Sequence, residues 1–204
     1  NNLRLKYERE DFVFCADTHF NPKITLGCID AGFKKIRINP GNMKNKDLTE
    51  IYNKASDKNI VIRIGLNGGS CRQILGKNPE VSDIIDLFNS FIKYSESCGF
   101  SNIVLSAKFS DYKFGIEVNR ELSKKFQYPI HLGVTEAGDS ISSIIKHSIY
   151  LEKLLHENIG DTIRISVTGD SEKEIIIANE LLTIIGVKDG IELISCPTCG
   201  RTWG

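Results

Sequence analysis

Short apolar runs alternate with longer amphipathic runs along the whole chain, and that alternation limits the available folds more than any single motif does. Six runs have strand character: residues 12–17 (FVFCAD), 35–40 (KIRINP), 60–65 (IVIRIG), 102–108 (NIVLSAK), 130–135 (IHLGVT) and 162–167 (TIRISV). Helical patterns lie between them. Residues 45–58 place Leu48, Ile51, Tyr52 and Ala55 at i, i+3, i+4, i+7 spacing. Residues 82–97 start at a Ser82 cap and put Ile84, Ile85, Phe88, Phe91 and Ile92 on one stripe before Gly99. Residues 111–126, 140–157 and 171–185 repeat the scheme. One strand and one helix per unit predicts a parallel α/β sheet, either closed as a barrel or doubly wound.

Two features favour the barrel. No strand is followed by the GxGxxG that a dinucleotide-binding doubly wound sheet would carry. Each strand instead has polar residues in its C-terminal half, the end at which (β/α)8 barrels build their sites. Six units are visible where a closed barrel needs eight. The expectation is therefore a TIM (β/α)8-type barrel lacking its first two βα units, with the missing units ahead of Asn1. Residues 1–190 would hold about strands 3 to 8, and 191–204 would open a further domain.

Strand side chains alternate faces, so i and i+2 point the same way. Ile36 and Ile38 oppose Arg37 and Asn39, and Ile62, Ile64 and Leu66 oppose Arg63, Gly65 and Asn67. Ile103, Leu105 and Ala107 oppose Ser106 and Lys108, and Ile163, Ile165 and Val167 oppose Arg164 and Ser166. Asp17 and His19 share a face on the first strand, and Thr135 follows His131 and Gly133 on the fifth. The apolar set suits the helix-covered outside of a barrel, which leaves the polar set to line its mouth. Arg37, Arg63, Lys108 and Arg164 are four cations on that surface, against Asp17 and Glu136 as acids. An unpaired charge withdrawn from water costs several kcal/mol. A polyanionic ligand with two or more phosphate groups would balance the excess, and arginine forks well onto phosphate.

The chain-wide totals conceal this. Lys plus Arg number 26 against 26 Asp plus Glu in 204 residues, which argues against a generic nucleic-acid or polybasic membrane surface. No run approaches the length of apolar sequence that spans a bilayer, and NNLRLKYERED at the start has no apolar h-region. A cytoplasmic setting of bacterial type, with a plastid left open because the N-terminus is missing, and no nucleic-acid or membrane partner are expected.

The turns NPGN (39–42) and NGGS (67–70) follow cationic strands and would let backbone N–H groups approach phosphate. Glu136 in TEAG (135–138) reads either as a proton-transfer or hydroxyl-orienting carboxylate or as the ion-pair partner of an arginine. His19 reads as a hydrogen-bond donor to the anion, and His147 and His156 as surface residues of a helix. Cys15, Cys28, Cys71 and Cys98 are scattered singly and read as buried or half-buried thiols. Cys196 and Cys199 in CPTCG are spaced as half of a metal or iron–sulfur site, with further ligands beyond Gly204 or on another chain. Other phosphate-binding barrels remain open on this reading: a pterin-binding synthase, or an aldolase using Lys108 as its Schiff-base amine. A zinc-ribbon binding module would need a second CxxC, and this sequence contains none.

Six segments in order, ADTHF (16–20), RINPGN (37–42), RIGLNGGS (63–70), HLGVTEAG (131–138), GDTIRISV (160–167) and ISCPTCGR (194–201), resemble the 4-hydroxy-3-methylbut-2-enyl diphosphate synthase family of the non-mevalonate isoprenoid pathway. The resemblance implies a TIM barrel that binds a methylerythritol cyclodiphosphate and a C-terminal domain carrying a [4Fe–4S] cluster. It implies reductive opening of the cyclic diphosphate with loss of a hydroxyl, using electrons delivered singly by ferredoxin or flavodoxin. Carried over by motif, diphosphate contacts fall on Arg37, Asn39, Arg63, Asn67, Lys108, Arg164 and Ser166, with His19 and Thr135 nearby. Glu136 matches a carboxylate that assists proton transfer or hydroxyl departure, and Asp17 its acidic neighbour. Cys196 and Cys199 match two of three cluster cysteines, which makes 191–204 the start of the cluster domain. The family pattern also implies a head-to-tail homodimer, the cluster domain of one protomer closing over the other's barrel. The first two units, the third cysteine and a glutamate ligand have no counterpart in this sequence. The chain alone is therefore expected neither to assemble the cluster nor to turn over.

Overall fold

The computed structural model describes residues 13–168 and 172–190. The elements, in chain order, are β1 (Cys15–His19), α1 (Pro22–Asp30), β2 (Lys35–Ile38), a 3-10 turn (Pro40–Asn42), α2 (Asn45–Asp57), β3 (Val61–Asn67) and α3 (Gly68–Leu75). They continue with α4 (Val81–Ser97), β4 (Ile103–Lys108), α5 (Tyr112–Lys125), β5 (His131–Leu132), α6 (Ser140–His156), β6 (Thr162–Ile163) and α7 (Glu172–Ile184).

The sheet decides between the two expected architectures. β1, β2, β3 and β4 pair in parallel in chain order, and so do β5 and β6. A parallel bridge between Leu105 and Ile130, with Leu105 N donating to Pro129 O at 2.8 Å, joins the two groups. Neighbours in space are thus neighbours in sequence throughout. A doubly wound sheet reverses its strand order at a switch point. None occurs among the described residues, and the progression is that of a barrel wall.

The apolar parity is buried as expected. Ile36, Ile38, Ile62, Ile64, Leu105 and Ala107 are all 0% exposed and pack in one core with Ile51, Ile84, Phe88, Leu122, Leu151 and Leu154 from the helices. Each such aliphatic side chain stabilises the fold by about 1.5–3 kcal/mol relative to exposure.

Local capping explains several boundaries. Asn21 accepts a hydrogen bond from Ile24 N (3.2 Å) and Pro22 follows it, so α1 starts there although its nine residues show little periodicity. NGGS is the cap and first turn of a helix, not a free glycine turn: Asn67 Oδ1 accepts from Ser70 N (2.8 Å), and Ser70 Oγ accepts from Asn67 N (3.0 Å). Helix α4 begins at Val81 and not after Ser82, because the Asp83 carboxylate accepts from Glu80 N at 2.8 Å.

Two other expectations change. His147 is 0% exposed, not a surface residue: its Nδ1–H donates to Ser143 O (2.9 Å), and its Nε2 accepts from Val134 N (3.3 Å). It clamps α6 to the segment after β5, while His156 is exposed. Cys15 is exposed, with Cys71 buried and Cys28 and Cys98 between. Cys196, Cys199 and the proposed domain at 191–204 lie outside the described residues.

Candidate anion-binding site

The inward polar residues converge on one cavity at the C-terminal ends of the strands. Asp17 and His19 of β1, Arg37 of β2, Arg63 and Asn67 of β3, Lys108 of β4, Thr135 after β5 and Arg164 after β6 all line it. Register brings the charges together: Arg37 stands opposite Arg63, Gly65 opposite Ser106, and Asn67 opposite Lys108. A bulge between Asp17 and His19, with His19 at φ +51°, re-aims the end of β1 toward Arg37.

Each cation is held differently. Arg37, 7% exposed, donates to Asp17 Oδ1 (3.1 Å) and to Gly65 O (2.9 Å), and its Nη1 lies 2.5 Å from His19 Nδ1. It lies across β3 because residue 65 is glycine; a Cβ there would fall 2.4 Å from Arg37 Nε. Arg63 is 8% exposed, and its buried Nε has no hydrogen-bond partner among the described residues. Burial opposes its charge first, and Arg37 and Arg164 add repulsion. Lys108 sits against Gly133, whose missing Cβ would lie 3.2 Å from Nζ. Burial, followed by Arg63, Arg164 and Arg37, pushes its amine down to about 7. Arg164 is half exposed, its Nε 4.0 Å from Glu174 Oε2 on α7.

Three of the expected site residues do not line the cavity. Glu136 is exposed at φ +52°, and the acid beside Arg164 is Glu174. Asn39 is 4% exposed, with its N–H on His19 O at 2.6 Å and its buried Oδ1 unpartnered among the described residues. The Ser166 carbonyl accepts from Ser143 Oγ at 2.6 Å, which ties that residue to α6. Asn67 does line the cavity, but its Oδ1 is committed to capping α3.

Sequence reasoning placed Ser106 and His131 on the inward polar face without singling either out as a contact, and it missed Glu174. Ser106 lines the cavity, and His131 lies beneath it with Nε2 3.0 Å from Lys108 Nζ. The signal for His131 was present, since it shares parity with Gly133 and Thr135. Glu174 had none, because its link to Arg164 is tertiary.

A metal centre finds no support among the described residues, where no three His, Cys, Asp or Glu side chains gather. Cys196 and Cys199 lie outside the described residues, and a single CxxC supplies only part of a ligand set. No helix among the described residues is long and apolar enough to cross a membrane.

Comparison with known proteins agrees with the barrel. A family model for the GcpE TIM-barrel domain matches residues 4–179. A Thermotoga petrophila protein named 4-hydroxy-3-methylbut-2-en-1-yl diphosphate synthase (flavodoxin) is 41% identical over 199 residues, 98% of this chain and 57% of that protein. Proteins of the same name from Clostridium acetobutylicum and Clostridium perfringens are 45% and 46% identical over 192 residues, 92% of this chain and 55% of each. The chain spans a little over half the length of these curated relatives. Among solved structures, a type I 3-dehydroquinate dehydratase from Clostridium difficile aligns with a TM-score of 0.50 at 14% identity, covering 82% of this chain and 61% of the other, a likeness of fold alone.

Proposed function

The chain belongs to the GcpE TIM-barrel family, and from that premise we propose that its cavity binds the diphosphate of 2-C-methyl-D-erythritol 2,4-cyclodiphosphate for reductive conversion to 4-hydroxy-3-methylbut-2-enyl diphosphate. One observation carries the reading. Three arginines and Lys108 line a cavity whose one lining carboxylate, among the described residues, is Asp17, and the buried Arg63 Nε there has no hydrogen-bond partner among them. A buried guanidinium N–H without an acceptor is costly, and a diphosphate would supply the missing acceptor and charge. The first-turn N–H groups of α3 at Gly68 and Gly69 would add a favourable dipole beside it.

In this reading Arg37, Arg63, Lys108 and Arg164 hold the diphosphate and stabilise the charge that develops on it as the ring opens. Asn67, Thr135 and His19 orient the sugar-derived carbons. Asp17 fixes Arg37 and is the one carboxylate, among the described residues, that lines the cavity. Glu136 would serve proton transfer only once a ligand or a covering domain turned it inward. Asn39 and Ser166 then act through their neighbours, as supports of His19 and of the segment carrying Arg164. Cys196 and Cys199 would provide thiolates to a [4Fe–4S] cluster, a group that supplies single electrons and an open iron position for the departing oxygen. Flavodoxin, named in the relatives, or ferredoxin would be the electron donor. We also propose two further βα units that close the barrel, a cluster domain beginning near residue 191, and a head-to-tail homodimer. Localisation is proposed as cytoplasmic.

Calorimetric titration of the purified protein with the cyclic diphosphate and with pyrophosphate tests this. Both should bind with a strong salt dependence, and Arg63→Met should weaken both at least about tenfold. Absence of binding, or binding unaffected by Arg63→Met, would overturn the reading.

A further inference from the structure

Lys108, His131 and Thr162 form a hydrogen-bonded chain across three adjacent strands. Lys108 Nζ lies 3.0 Å from His131 Nε2, and His131 Nδ1 lies 2.8 Å from Thr162 Oγ1, its register partner on β6. His131 is 6% exposed, so solvent does not compete for either nitrogen. Gly133 makes room for the approach: a Cβ there would sit 2.7 Å from Arg164 O as well as against the lysine amine.

The chemistry of these groups fixes their roles. Burial, followed by Lys108, Arg63, Lys35 and Arg164, strongly disfavours the imidazolium of His131. A neutral imidazole has one N–H and one lone pair, and an ammonium group has donors only. A protonated Lys108 therefore requires the lone pair at Nε2 and the N–H at Nδ1, where Thr162 Oγ1 can accept it.

We infer that His131 is a positioning residue for Lys108, with Thr162 Oγ1 accepting from its Nδ1–H, so that the lysine takes up one proton from solvent and is held as an ammonium when an anion enters the cavity. The inference rests on the anion-site reading above. No bond breaks in this step; the amine lone pair gains a proton. With the cavity empty, burial and three arginines favour the free amine. Other charged and titratable groups face this chain from the neighbouring elements. Asp17 accepts from Arg37, Glu174 stands beside Arg164, and His19 is tied to Arg37. His147 on α6 is buried, with its proton on Ser143 O, and Lys35 on β2 acts on His131 only as a further positive charge.

The test follows the Lys108 ε-carbon resonance against pH in the purified protein, empty and with sulfate, a dianion that does not titrate near neutrality. The empty wild type should show a midpoint near 7, and sulfate should raise it by about one unit or more. His131→Phe and Thr162→Val should each lower the empty-state midpoint by about half a unit, while His131→Gln, which keeps an acceptor, should stay close to wild type. His131→Phe should also weaken sulfate binding about fivefold in the wild type but leave it unchanged in a Lys108→Met background. An unshifted midpoint in Thr162→Val and His131→Phe overturns the inference, as does equal weakening in both backgrounds. If His131→Phe does not fold, Thr162→Val and His131→Gln decide alone. Failure of the wild type to bind sulfate or pyrophosphate would instead sink the anion-site reading, and the empty-state midpoints would still decide the relay.

Discussion

Arg37 and Arg63 occupy the same rung of β2 and β3, two buried guanidinium groups side by side in a parallel sheet. Like charges directly opposite one another destabilise a sheet. Arg37 is relieved by Asp17 and the Gly65 carbonyl, whereas Arg63 Nε has no hydrogen-bond partner among the described residues. The fold thus holds a strained charge at its centre, as ligand sites commonly do. Arg63→Met should leave the empty protein at least as stable as wild type, by about 0–2 kcal/mol in chemical denaturation, while weakening pyrophosphate. A loss of stability on this substitution would mean that Arg63 is a structural ion-pair member.

Gly65 tests the geometry around its neighbour. A methyl group there meets Arg37 Nε at 2.4 Å, so Gly65→Ala must push the guanidinium off the Asp17 carboxylate. The expected cost is about 1–3 kcal/mol in stability together with weaker anion binding. Urea unfolding and a pyrophosphate titration of the same sample measure both. Full retention of binding would show that Arg37 does not need its present course across β3.

Anion affinity should depend on pH through Lys108, whose amine is pushed down to about 7 in the empty cavity. Below that value the ammonium is already present. Above it, binding must first recruit the proton, so sulfate affinity should begin to fall near pH 7, by about tenfold in total for each unit by which sulfate raises the midpoint, and level off above the raised midpoint of the bound state. Lys108→Met should flatten the profile. A wild-type affinity constant across that window would remove Lys108 from the site's electrostatics.

Much of the architecture was legible in the primary structure, and the exceptions share a physical cause. The apolar parity of Ile36, Ile38, Ile62 and Ile64 is buried as read, because covered parallel strands leave little choice of face. Helices α1 and α3 went unread because nine and eight residues are too short for a periodic stripe, and their caps carry the signal instead. His147 was placed at the surface by residue type, although Ser143, His147, Tyr150, Leu151 and Leu154 form one buried stripe of α6. Four cavity cations were found by alternation, which is local. The placement of Glu174 beside Arg164 depends on how α7 packs, which no local pattern encodes.

The buried histidines give stability a definite pH dependence. His147 and His131 both have depressed values in the folded state, caused first by burial. In the unfolded chain they protonate near 6.5, so unfolding takes up protons below that pH and stability falls as the solution is acidified from about 6.5 toward 5. Thermal melting across this interval should show the decline, and His147→Gln should reduce its slope while costing about 1–3 kcal/mol near neutrality. A melting temperature independent of pH below 6.5 would show that His147 is not buried neutral against Val134.

The central claim is that the barrel cations hold a diphosphate, and a crystal structure of the protein with the cyclic diphosphate tests it most directly. The account predicts phosphate oxygens within hydrogen-bonding distance of Arg63 Nε and Lys108 Nζ, with Arg37 and Arg164 completing the shell. A ligand bound elsewhere, with Arg63 Nε still unpartnered beside it, would contradict the account.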